Sequence, residues 1–128
     1  MEASERSPQR SERGAQLAQL SREIVQIHAR LYGRGPTKAR SHIHSTYALC
    51  ILEEIFTPAE RTLIDTGSWE HVRATRDKFQ DAVKEEFVDV VERIVGKQVT
   101  GFFSQVDVEG DSAIELFLFE DGADDGAR

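Results

Sequence analysis

The chain has one cysteine, Cys50, so no disulfide can form within it, and a reducing compartment is the simple expectation. Nowhere does it hold the roughly 18 consecutive apolar residues that a membrane-spanning helix needs. A secretory leader is not expected, because residues 1–14 mix Glu, Arg and Ser and lack an apolar stretch. Acidic residues are missing from the whole interval between Glu23 and Glu53, although the chain as a whole carries a net charge of −7. That interval holds Arg30, Arg34, Lys38 and Arg40, together with His28, His42 and His44. A basic segment inside an acidic body bears on partners rather than on fold. General affinity for nucleic acid is not expected at this overall charge.

What remains is enough for one domain. The 128 residues are 39% apolar and 30% charged, which requires a patterned core and a well-solvated surface. Residues 1–14 hold almost nothing apolar and read as a disordered tail. Residues 120–128, rich in Gly, Ala and Asp, read as an acidic disordered tail. The domain is expected over residues 15–119.

Leu17, Leu20, Ile24, Ile27 and Leu31 recur at helical spacing, which predicts a helix over residues 15–32 ended by Gly33. Residues 38–52 contain neither Gly nor Pro and are rich in β-branched and aromatic side chains, which predicts one strand. Thr57-Pro58-Ala59-Glu60 has the form of a capping box with proline at the first helical position. The short helix it opens stops at Gly67. Ser68 is expected to cap a long helix reaching Val95, with Val72, Phe79, Val83, Phe87, Val90 and Ile94 as its apolar stripe and Gly96 as its terminator. Two further strands, 98–108 and 112–119, flank a Glu109-Gly110-Asp111 turn. The predicted fold is α+β: a three-stranded antiparallel sheet with helices on one face, in the order α-β-α-α-β-β.

No catalytic constellation emerges, and the expectation is a protein that is not an enzyme and takes no cofactor or metal. Arg34-Gly35-Pro36-Thr37-Lys38 lacks the Gly-Lys-Ser/Thr of a phosphate loop and follows a helix rather than a strand. It reads as a helix stop and a strand start. The functional alternative is a basic edge that meets an anion or a partner through Arg34, Thr37, Lys38 and Arg40. His42 and His44 would share a strand face, but two ligands fall short of a metal site and a third would have to come from elsewhere. Cys50, in an apolar run, reads as core. Glu53 and Glu54 would point to opposite faces, a poor acid/base pair. Acids and bases interleave along the long helix, Arg73 and Arg76 among them, as on a solvated surface.

Gly33-Arg34-Gly35-Pro36-Thr37-Lys38-Ala39, the strand ending Leu52-Glu53, and Phe56-Thr57-Pro58-Ala59-Glu60-Arg61-Thr62-Leu63 with Gly67 resemble the MpsC-type family. Val72, Arg76, Phe79 and Gln80, then Gly96-Lys97-Gln98-Val99, fit it too. The resemblance covers roughly Leu20 to Glu120. It takes its name from a bacterial system described as Na+-translocating and membrane-potential-generating, and it carries no catalytic residues over to this chain. It implies a small accessory or regulatory interaction domain, cytoplasmic or peripheral to the inner membrane, beside a system for ion or inorganic-carbon uptake. The expected partner is a membrane protein or an anionic surface, with a homodimer through the amphipathic helices as a further expectation. The alternative is a small anion- or nucleic-acid-binding module using Arg30–Arg40.

Overall fold

The computed structural model describes residues 8–120, so residues 1–7 of the tail expected at 1–14 and residues 121–128 of the tail expected at 120–128 lie outside the described residues. The elements are α1 (Pro8–Tyr32), β1 (Lys38–Ile43), β2 (Tyr47–Glu53), α2 (Pro58–Asp65), α3 (Trp69–Val95), β3 (Val99–Asp107) and β4 (Ser112–Phe119). α1 starts at Pro8, before the expected residue 15. Contacts along it tie the helix down: Arg13 donates to the Ile43 carbonyl at 2.8 Å and Gln16 to that of Ile94 at 2.9 Å.

The α+β class holds, but the expected three strands become four and the order becomes α-β-β-α-α-β-β. The predicted strand over residues 38–52 folds back on itself as a hairpin, β1 against β2. A single strand of that length would run about 50 Å at roughly 3.3 Å per residue, longer than a small domain can cover. The buried faces also change parity. β1 turns odd-numbered Ser41 inward, whereas β2 buries even-numbered Ala48, Cys50 and Leu52, which one straight strand cannot do. The turn lacks the usual Gly or Asn because it is held from outside. Its own bond is His44 N–H to the Tyr47 carbonyl at 2.7 Å, and distant groups take its other carbonyls. Lys97 donates to Ser45 O at 2.8 Å, and the Phe119 amide donates to Thr46 O at 3.0 Å.

The sheet order is β1-β2-β4-β3, antiparallel throughout. α1 and α3 lie side by side on one face. Leu20, Ile24 and Phe87 from the helices meet Leu52, Ala113 and Phe117 from the strands, all buried. Each large side chain among them contributes about 1.5–3 kcal/mol by leaving water.

The capping box forms as its sequence requires. Thr57 Oγ1 accepts from the Glu60 amide at 3.1 Å and Glu60 accepts from the Thr57 amide at 2.9 Å. Gly96 ends α3 in the left-handed region, φ 81°. Ser68 occupies the N-cap of α3, but its hydroxyl makes no capping bond. The stripe of α3 also differs from expectation. Arg76 and Gln80 are buried with Val72, Phe87, Val90 and Val91, while Phe79 is exposed. A 3.6-residue period admits either set; packing against α2 and the sheet selects the one containing arginine.

Candidate interaction surface

The basic segment does not stay isolated once folded. Arg30 forms a two-point pair with Glu86 of α3, at 2.8 and 2.6 Å. Arg40 approaches Glu53 across the β1–β2 hairpin at 3.4 Å. Arg34 donates to the Phe56 carbonyl, and Thr37 donates to Glu54. Acids absent from the neighbouring sequence are supplied by the next strand and by a helix more than fifty residues away. Lys38 is exposed, and among the described residues no carboxylate pairs with it. The four proposed contact residues therefore divide. Thr37, Lys38 and Arg40 border one concavity of about 550 Å3 with Ala39 and Glu53, whereas Arg34 faces another, beside Phe56, Arg61 and Asp111.

Lys38 and Arg40 point to the face of the sheet that the helices leave open. Alternation along the strands puts four rows of side chains there. His42, Leu49, Leu116 and Phe103 form one row, and Arg40, Ile51, Ile114 and Gln105 the next. Lys38, Glu53, Ser112 and Asp107 make a charged row at one end, and Tyr47, Leu118 and Gly101 a row at the other. Phe103 is 56% exposed, Ile114 39% and Leu118 37%. Among the described residues nothing lies over this surface. A contiguous exposed apolar face of this kind is a candidate interaction surface. Nothing in the sequence marks it, because β4 carries large apolar side chains on both faces and alternation alone does not say which of them is exposed.

The helix-covered face has a polar row of its own. Ser41, Cys50, Glu115 and Ser104 sit side by side across all four strands. Glu115 is fully buried, and its Oε2 lies 3.3 Å from Nε2 of buried His28 on α1. Ser41 Oγ bridges Ser21 Oγ at 2.7 Å and Cys50 Sγ at 3.3 Å. Burial pushes the Cys50 thiol up to about 12, so it is a small core residue rather than a nucleophile. His28 is thus engaged away from the His42–His44 pair. That pair itself is separated, since His44 sits in the turn with its ring stacked on Tyr47, centroids 5.1 Å apart. An open groove of about 490 Å3 beside α2 gathers Arg61, Arg73, Asp107 and Glu109 around Trp69. Arg73 covers the indole there, its guanidinium carbon 5.8 Å from the ring centroid.

A profile of the MpsC family, described as a Na+-translocating membrane potential-generating system, matches residues 12–121. The chain belongs to the MpsC family. No curated protein and no solved structure gives a significant match.

Three of the segments by which this MpsC chain resembles its family, around residues 34–37, residues 56–61 and Arg76, come together in space, whereas residues 96–99 lie at the far end of the sheet, where Lys97 reaches the Ser45 carbonyl. Residues 54–57 are gripped from three sides. Arg34 and Thr37 hold Phe56 and Glu54. Asp111 accepts from the Ile55 and Phe56 amides at 2.8 and 3.0 Å and from Arg61 at 2.6 Å. Arg76 donates to the Ile55 carbonyl at 2.9 Å. Gly35 lets the loop before β1 lie close on α1, since a Cβ there would sit 3.0 Å from the Val25 side chain and 3.1 Å from its carbonyl, tighter than ordinary contact. Those three segments therefore build one structural corner. Thr37 and the strand that follows carry that corner to the open face of the sheet.

Proposed function

We propose that this MpsC-family chain is a non-enzymatic accessory or regulatory interaction domain of a membrane-associated ion or inorganic-carbon uptake system. It acts through the open sheet face and the cationic β1 edge beside it. The supporting observation is that face: seven large apolar side chains, Tyr47, Leu49, Ile51, Phe103, Ile114, Leu116 and Leu118, in rows flanked by Lys38 and Arg40. No helix of the described residues is long and apolar enough to cross a membrane, so a role in transport is exercised on a partner that does cross it.

The test is capture from solubilised membranes with the full chain as bait, beside a bait carrying Lys38→Glu and Arg40→Glu. The expected result is a multi-span protein, identified by mass spectrometry, that the substituted bait loses. Recovery of only soluble proteins, or equal recovery by both baits, rejects the reading.

A further inference from the structure

We infer that the open sheet face is a self-association surface, and that its occupant is a second copy of this chain, related by a two-fold axis running along the strands. The inference rests on reading that face as an interaction surface and adds what covers it while no membrane partner is bound there.

The strand order supplies the symmetry. An axis parallel to the strands, passing between the two central ones, β2 and β4, exchanges β2 with β4 and β1 with β3. Each of the four rows then faces itself across the interface. Leu49 meets the partner's Leu116, Ile51 meets the partner's Ile114, and Tyr47 meets the partner's Leu118. The two central strands are thus apolar against apolar over three rows.

The edges match as well. In the charged row, Lys38 on β1 and Asp107 on β3 stand at opposite ends, so the two-fold brings Lys38 over the partner's Asp107, twice per dimer. An axis perpendicular to the strands would instead lay β1 over β1 and set Lys38, Arg40 and His42 against their own copies, which like charges oppose. At the other end, the bulky stacked pair His44 and Tyr47 faces a row that finishes in Gly101, which has no side chain to collide with it.

Size sets the strength. Four strands about 4.8 Å apart and four rows about 6.7 Å apart give a footprint of roughly 500 Å2 per copy, about 1,000 Å2 in all, at the lower end for a specific interface. Two sheets stacked this way pack about 10 Å apart with strand directions within about 30°, the ordinary geometry of a β-sandwich. Self-association is therefore expected in the micromolar range.

Sedimentation velocity of the full chain, from low micromolar to near-millimolar concentration, tests this. The native protein should pass from monomer to dimer. Ile114→Lys, at a position already partly in water, should weaken association by about tenfold or more. Lys38→Asp should weaken it by about threefold to tenfold, and Lys38→Asp combined with Asp107→Lys should restore it. The charge exchange involves exposed residues and remains informative if Ile114→Lys folds poorly. A monomer at every concentration overturns the inference, whether a terminal segment of the chain, an anionic vesicle or another protein then claims the face. A dimer indifferent to these substitutions overturns it too. Dimerisation without capture of a membrane protein would leave the inference standing and reject the proposed function. Capture by a chain that stays monomeric would do the reverse.

Discussion

Arg76 and Glu60 form a two-point ion pair, Nε to Oε2 at 2.7 Å and Nη2 to Oε1 at 2.6 Å, with the arginine side chain only 1% exposed. The guanidinium also stacks over Tyr32, its carbon 3.8 Å from the ring centroid. Glu60 closes the capping box of α2 at the same time, so one carboxylate ties α3, α2 and the Thr57 amide together. Removing one partner of a buried pair strands the other. Arg76→Ala is expected to cost about 3–5 kcal/mol in urea unfolding. Glu60→Gln, on the more exposed side, should cost less, and a double-mutant cycle should show the two effects to be non-additive.

The same pair sets a pH dependence. Burial raises the Glu60 carboxyl, but the Arg76 guanidinium and the Thr57 amide outweigh it and hold it below its ordinary 4.5. A carboxyl lowered on folding contributes stability that is fully present above its unfolded value and is lost as pH falls through the folded one. Thermal unfolding followed from neutral pH into acid should therefore show a loss starting near pH 4.5. Glu60→Gln should flatten that slope. An unchanged slope would place the acid sensitivity elsewhere.

Cys50 should resist thiol reagents in the native protein at mildly alkaline pH, since burial holds it almost entirely as the thiol. Labelling is expected to follow the fraction unfolded across a urea titration. Fast labelling without denaturant would mean that the sheet opens locally at β2.

Glu115 and His28 invite a different experiment. Both are buried, and among the described residues neither Glu115 oxygen has a hydrogen-bond partner, nor has either His28 nitrogen. A close contact at 3.3 Å without good hydrogen bonds repays desolvation poorly. Replacing both with leucine should be neutral or stabilising by about 1–4 kcal/mol in urea unfolding, whereas His28→Ala alone should destabilise. A double-leucine variant clearly less stable than the native chain would show the pair to be net favourable.

Structure that depends on close sequence neighbours was legible in advance. Thr57, Pro58 and Glu60 start α2 through bonds spanning three residues, and Gly96 stops α3 with its own backbone. The reversal at residues 44–46 was not legible, because the groups that hold it, Lys97 and the Phe119 amide, arrive from the far end of the chain. The basic segment was visible as a run without acids. Its neutralisation was not, since Glu86 reaches Arg30 only when α1 lies against α3.

Composition and local pattern by themselves determined the α+β class and three helices with most of their ends. Those properties depend on residue type and on spacings of a few positions. Tertiary structure alone decided that four strands form, that Arg76 and Glu115 face inward, and which side of the sheet stays open. β4 carries large apolar side chains on both faces, with Glu115 among them on one, so only the placement of two helices on that face distinguishes the core from the open side.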